Sequence, residues 1–350
     1  MTINIGIIGF GYWGPNLVRN FAAVKDVRVT HIADLDDVRL ATAKDIYPGC
    51  TTTKNYKDML TDPDVHAVIV ATPVTSHFRF ASEALQHGKH VLIEKPMTHT
   101  VDEARKLIAL AKEKGKVLMV DHTFEYCKPV EKIDGYIKGG ELGEVFSISM
   151  SRLNLGLFQK DINVIWDLCP HDISILLHLL RQMPVSVNAV GMDHVQKGIE
   201  DDCHVFLRFG KNITASLHVS WLDPCKVRRI AIVGSKKMLL YDDVEPTDKI
   251  KLYDRGIVKS KDGLPVLQYY TTPEEFQLAY KYGDVVIPKV DLKEPLAVMA
   301  NHFVSCIRDG KAPLTDGISG LRVVKILEAA QQSLKNNGVV IAIDGSFDAP

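Results

Sequence analysis

Ile3-Asn4-Ile5-Gly6-Ile7-Ile8-Gly9-Phe10-Gly11-Tyr12-Trp13-Gly14, with Leu17, Val18 and Phe21 recurring at helical spacing behind it, reads as a strand, a glycine turn and a helix. In that reading Gly9 makes the tight turn, Gly11 lets backbone approach a pyrophosphate, and Gly14 lets the helix pack closely on the strand. The diphosphate of a dinucleotide would then lie on the helix N-terminus beside Tyr12 and Trp13, where free N–H groups and the dipole favour an anion. Such a turn occurs in many folds, so its context decides. A second apolar run, residues 27–33, ends at Asp34, 20 residues past Gly14, as expected for a carboxylate that accepts hydrogen bonds from an adenosine ribose. Leu35, Asp36 and Asp37 follow without a basic residue, so a ribose 2′-phosphate would meet like charge, which favours NAD over NADP. A competing reading makes Asp34 a helix N-cap, and Asp36 can equally cap the helix that follows.

Strand and helix then alternate: strands at 65–72, 90–93 and 117–120, helices at 76–87 and 101–114. These strands are apolar on both faces, as in a parallel sheet covered by helices, so residues 1–122 are expected to form a doubly wound α/β Rossmann domain. Thr72-Pro73-Val74-Thr75-Ser76-His77 and Glu94-Lys95-Pro96 sit at strand C-termini, outside which ligands of such sheets bind. Thr72, Pro73, His77, Glu94, Lys95 and Pro96 are therefore assigned to the cofactor side.

From residue 123 the pattern changes. Segments 145–152, 185–190, 203–209, 214–220 and 228–233 are β-rich with few long helices between them, which predicts an α+β domain over 123–350 with a large open, mainly antiparallel sheet. Residues 242–291, charged and tyrosine-rich, read as an excursion of hairpins and loops.

Composition limits the function classes. Apolar residues make up 46% of the 350 and charged residues 24%, with net charge -1 and no massed basic run, so no nucleic-acid partner is expected. The apolar runs are strand-sized, far below the roughly 20 residues of a membrane helix. Strand residues begin at Ile3, leaving no room for a secretory leader, and a cytoplasmic location is expected. Six dispersed cysteines without a Cys-x-x-Cys pair disfavour a disulfide framework or structural zinc. Cys169 and His171 lack further clustered ligands, so no metal is expected.

The glycine turn, the segment from Thr72 to His77, Glu94-Lys95-Pro96, Asp167-x-x-x-His171 and the stretch 295–341 together resemble the glucose-fructose oxidoreductase, inositol dehydrogenase and rhizopine catabolism (Gfo/Idh/MocA) family. The resemblance implies hydride transfer between a nicotinamide and a sugar carbon. It assigns Lys95 as the cation that favours alkoxide character, His171 as general base and Asp167 as its orienting partner or a substrate contact. On spacing alone, Asp167 and His171 also read as capping residues of an apolar helix at 173–180, with Asp172 a partner for its dipole. His122 and Tyr126, past the last Rossmann strand, are either substrate contacts or packing residues. Arg152 and Asn154, near a strand end, can reach a phosphate or hydroxyl or lie on the surface, and Trp166 joins the substrate side. Within the family the resemblance points to the sugar-nucleotide branch, with chemistry at C3 of a nucleotide diphosphate sugar. Inositol or free-sugar dehydrogenation is the alternative within enzymes, and an NAD-binding regulatory protein is the alternative outside them. A homodimer or homotetramer through the C-terminal sheet is also implied.

Overall fold

The computed structural model describes residues 2–259 and 278–344. Its first sheet contains β1 (Ile3–Ile8), β2 (Val27–Ala33), β3 (Thr51–Thr53), β4 (Ala67–Val70), β5 (His90–Ile93) and β6 (Leu118–Val120), all parallel, in the order β3-β2-β1-β4-β5-β6. Between them run α1 (Gly14–Ala22), α2 (Asp37–Ile46), α3 (Lys57–Thr61), α4 (Val74–Gln86) and α5 (Val101–Lys114). The strand order reverses between β1 and β4, and a crevice opens there outside the strand C-termini. The predicted doubly wound sheet is present. β3, three threonines without an apolar signature, and the short α3 had escaped the sequence reading.

The second sheet and the helices beside it comprise α6 (Lys128–Lys138), β7 (Val145–Leu155), α7 (Val164–Leu180), β8 (Pro184–Met192), β9 (Asp202–Phe209), β10 (Thr214–Ser220), β11 (Leu222–Gly234), β12 (Met238–Asp242), β13 (Ile250–Lys259) and β14 (Leu278–Val286). After them come α8 (Pro295–Asp309), α9 (Gly317–Lys335) and the closing β15 (Ile341–Ala342). Its nine strands are antiparallel to their neighbours except for the parallel pair β7 and β10. Where the sequence suggests an excursion of hairpins and loops at 242–291, β13 and β14 instead pair antiparallel and extend the sheet beyond β12; residues 260–277 of that segment lie outside the described residues. Alternation along β9 is regular: Cys203, Val205, Leu207 and Phe209 are buried, while His204, Phe206 and Arg208 are exposed. The buried face packs against α7 and α9, and the other face is open.

The apolar run places the expected helix at 173–180, with Asp167 and His171 as capping residues ahead of it. Instead α7 begins at Val164, capped by Asn163, whose side-chain oxygen accepts from Trp166 N at 3.3 Å. Ile165, Trp166, Cys169, Ile173 and Leu176 form a buried stripe at helical spacing, and their packing carries the helix through the proline. Asp167 thus sits in the first turn, and His171 a full turn deeper.

The chain returns to the first sheet at its end. Leu296, Met299, Ala300 and Phe303 of α8 pack with Leu17, Val18 and Phe21 of α1, and Phe303 meets Phe21 edge-on at 6.0 Å. Leu321 and Val324 of α9 join the core beside Leu107 and Val120. Residues 1–122 therefore cover their own sheet only in part, and α8 and α9 complete the cover. The junction is closed by buried Thr315, whose hydroxyl donates to Val120 O at 2.7 Å and lies 3.1 Å from the Tyr126 hydroxyl. No helix among the described residues is long and apolar enough to cross a membrane.

Thr315→Val keeps the volume and removes the hydroxyl, leaving two buried polar groups without it. A loss of about 1–3 kcal/mol in urea unfolding is expected; a change within ~0.5 kcal/mol would show that the junction does not depend on this bond.

Candidate active site

Four loops at the C-termini of β1, β2, β4 and β5 form one wall of a cavity of about 1600 Å³. Gly9 has φ +100°, and a Cβ there would stand 2.2 Å from Ala71 O, so no larger residue fits this turn. A Cβ on Gly14 would meet Gly9 O at 2.5 Å, which keeps α1 tight on the turn. Tyr12 and Trp13 are exposed on the rim, and Trp13 Nε1 donates to Asp121 Oδ2 at 3.4 Å.

Asp34 is fixed by two backbone bonds. Its Oδ2 accepts from Phe10 N at 2.7 Å and its Oδ1 from Asp36 N at 3.0 Å, so it ties the glycine turn to the β2–α2 loop. The cap of α2 is Asp36, which accepts from Val38 N and Arg39 N, and the N-cap reading of Asp34 falls. Helix geometry adds what adjacent sequence did not show: Arg39 Nη1 lies 3.6 Å from Asp34 Oδ2, so a cation stands beside the carboxylate after all.

Thr72 and Pro73 line the cavity, the Thr72 hydroxyl lying 2.8 Å from that of Ser76. His77 does not line it, contrary to expectation. Its ring is buried behind the loops, with Nε2 2.7 Å from Thr72 O and Nδ1 2.9 Å from Pro96 O, and so braces the two strand-end loops against each other. Glu94, Lys95 and Pro96 reach the cavity, and the Lys95–Pro96 peptide is cis. Burial, then the neighbouring Asp121 carboxylate, hold the Glu94 carboxyl well above its ordinary range.

The opposite wall comes from α7 and the second sheet. Asp167 and His171, four residues apart on one helix face, both line it. Lys95 Nζ donates to Asp167 O at 2.8 Å and to Asp167 Oδ1 at 3.2 Å, and Trp221 Nε1 donates to Asp167 Oδ2 at 3.0 Å. His171 packs against the Phe124 ring at 5.0 Å, and its Nδ1 is buried without a partner. Burial first, then the charges of Lys95, Arg152 and Arg228, hold its pKa well below the usual imidazole range. Asn154 joins this wall as expected.

Four other expected substrate contacts are elsewhere. Arg152 shares the inward register of Ile148 and Met150, and its buried guanidinium donates to Asp172 Oδ1 at 2.6 Å and lies over the Phe124 ring. Asp172 is therefore a buried ion-pair partner, not a terminal dipole group. Trp166 is a core residue whose Nε1 donates to Gln331. Tyr126 is buried at the Thr315 junction. His122 is fully buried, its ring nitrogens without partners and its pKa pushed down to about 3 by burial and then Lys95. The sequence reading missed Phe124, Trp221 and Arg228, which do line the cavity. Alternation along β7 would have turned Arg152 inward, but nothing local marks Arg228 on β11.

Comparison with known proteins gives a consistent picture. Residues 3–122 match the model of an oxidoreductase family with an NAD-binding Rossmann fold, GFO/IDH/MocA, and residues 130–240 match the GFO/IDH/MocA C-terminal domain. The scyllo-inositol 2-dehydrogenase (NADP(+)) IolW of Bacillus subtilis (strain 168) is 26% identical over 355 residues, covering 97% of this chain and 96% of its own. A UDP-N-acetylglucosamine 3-dehydrogenase of Acidithiobacillus ferrooxidans is 28% identical over 324 residues, covering 91% and 93%. A solved structure of the enzyme of that name, GnnA, from the same species superposes with TM-score 0.76 at 26% identity, covering 96% of this chain and 98% of its own. The aldose-aldose oxidoreductase of Caulobacter crescentus shares the fold, with TM-score 0.81 at 20% identity, covering 98% of this chain and all of its own.

Arg39 beside Asp34 generates a cofactor prediction. With Asp34 expected to face the adenosine ribose, Asp34→Ser would remove a carboxylate that disfavours a 2′-phosphate and free the guanidinium to meet it, so the NADP to NAD ratio of kcat/KM is expected to rise at least ~10-fold. In Asp34→Ser with Arg39→Ala the gain should disappear; equal ratios in the two variants would show that Arg39 does not reach the ribose.

Proposed function

The chain belongs to the Gfo/Idh/MocA oxidoreductases, and on that premise we propose that it moves a hydride between NAD and a secondary alcohol or ketone carbon of a sugar, at C3 of a nucleotide diphosphate sugar. The observation carrying this reading is the convergence of Lys95, Asp167 and His171 on the cavity that also holds the glycine turn. The crevice fits a dinucleotide. The Gly9 and Gly14 positions admit no side chain, α1 opens toward the cavity, and each Asp34 oxygen keeps a lone pair beyond its backbone bond. NAD, when bound, supplies the carbon that accepts or returns the hydride.

In this reading His171, neutral because it is buried among cations, takes the proton of the substrate hydroxyl. The Lys95 ammonium has three donors, two directed at Asp167, and turns the third to the substrate oxygen as it gains alkoxide character. Asp167, held from its other side by Trp221, keeps the ammonium in place. Arg228 replaces Arg152 as the proposed anchor for a diphosphate: it lines the cavity with a longer, part-exposed contact to Asp243 at 3.4 Å, whereas Arg152 is buried against Asp172 at 2.6 Å. A diphosphate bound there would provide remote binding energy to hold the reacting carbon. The Acidithiobacillus relative, named for a 3-dehydrogenase of a UDP-linked sugar, supports this branch, and IolW supports the inositol alternative. A regulatory protein would have no use for a proton acceptor beside the cofactor. We further propose a cytoplasmic protein, supported by six free cysteines, that self-associates through the open sheet face, where Phe146 and Phe206 are exposed.

On a panel of UDP- and dTDP-linked hexoses, free hexoses and inositols, turnover is expected with the nucleotide-linked sugars; turnover of inositol alone would favour the alternative. Lys95→Met and His171→Ala should each lower kcat by roughly two to four orders of magnitude while NAD affinity stays within a few-fold. A base works deprotonated, so lowering the pH removes oxidation activity only as it passes the depressed pKa of His171. The kcat/KM for oxidation should therefore stay level as pH falls through 6.5, and a decline centred at or above that value would count against His171 as the base.

A further inference from the structure

We propose that Asp202, His204 and His218 form a binding site for a divalent transition cation of the zinc class on the open face of the nine-stranded sheet, separate from the candidate active site. Asp202 and His204 are two residues apart on β9 and so share a face, and His218 on β10 stands directly opposite His204 in the antiparallel register. Their ligand atoms all lie within 4.8 Å of one another. The two imidazoles stack with centroids 4.0 Å apart and planes 14° from parallel; because each lone pair lies in its own ring plane, one ring turns about its Cβ–Cγ bond when both nitrogens bind the same ion, a rotation the exposed His204 is free to make. Asp202 is itself anchored: Oδ2 accepts from Ser220 Oγ at 3.2 Å, and Oδ1 lies 3.1 Å from His218 Nε2. A cation would take the place of the proton shared in that last contact.

The donor set is two imidazole nitrogens and one carboxylate oxygen. It suits zinc and its first-row neighbours better than calcium or magnesium, which prefer oxygen alone. Three protein ligands leave a coordination position for water, and His204 is exposed, so a cation reaches the site from solvent. Adjoining positions on the face do not repel it. Ser151 stands beside His218 on β7 and Val190 beside His204 on β8, and the next residue along the row, Arg229, is already bonded to Asp242 at 2.8 Å. None of the three ligands lines the catalytic cavity. In sequence they are an Asp-x-His and a lone histidine 14 residues on, and only the register of β9 on β10 brings them together. The site lies on the face proposed for self-association, yet its geometry comes from one chain.

The test uses the tag-free full chain carrying Cys225→Ser, which removes an exposed competing thiol, after stripping with chelator. Zn²⁺ alone is titrated by calorimetry and Co²⁺ alone by visible absorption. Saturable binding of about one cation per chain is expected. His204→Ala and His218→Ala should each weaken it by more than about 100-fold, beyond the loss usual for outlying partners of a metal ligand, with NAD affinity unchanged. Absence of saturable binding by the parent protein overturns the proposal, as does binding that survives both histidine substitutions.

Discussion

The contact between Lys95 and Asp167 is the constraint on which the rest of the molecule turns. Lys95 ends a strand of the first sheet, and Asp167 begins the long helix on the second, so the bond fixes the distance across the cleft. Both side chains are largely withdrawn from water, about 18% and 21% exposed, where breaking a pair is costly even when forming it adds little net stability. Its value is positional. The carboxylate is held from the far side by Trp221, and two donors of the ammonium are directed at Asp167, which leaves the third for the proposed contact to a substrate oxygen.

That placement also sets the electrostatics of the neighbourhood. Lys95 depresses the basicity of His171 and His122, though burial is the larger cause for both. On the strand side Glu94 is pushed the other way, toward the neutral acid, by burial and Asp121. Burial and the nearby cations thus hold the imidazole that lines the cleft, His171, toward its neutral form, while Lys95 and Arg228 each face the cavity with a carboxylate partner, Asp167 and Asp243. Beyond the glycine turn, Arg39 beside Asp34 sets a cation against a carboxylate at the position proposed for the adenosine ribose.

Much of this was legible in the sequence because it is local. A strand, a glycine turn and a helix within twenty residues announce the first sheet, and the polar strand ends Thr72-Pro73 and Glu94-Lys95-Pro96 lie where that topology predicts. The losses arise from tertiary packing. The continuous apolar run suggests a helix only from Ile173, but the buried stripe through Trp166 and Ile173 carries it back to Val164. Arg152, Trp166, Tyr126 and His122 carry polar groups that suit a site, yet burial gives them to Asp172, Gln331, Thr315 and the region beneath Lys95. Arg228 and Trp221 reach the cavity only because β11 and β10 flank β7, a pairing that no motif encodes.

The most direct measurement follows the hydrogen itself. A nucleotide diphosphate hexose carrying deuterium at C3 is incubated with the protein and NAD, and the reduced cofactor is examined by NMR. Deuterium is expected to arrive at the nicotinamide C4 with one facial preference, because the proposed seat between Lys95 and His171 would hold the sugar carbon against one side of the ring. Deuterium that stays on the sugar while reduced cofactor accumulates, or that is lost to solvent, would contradict it.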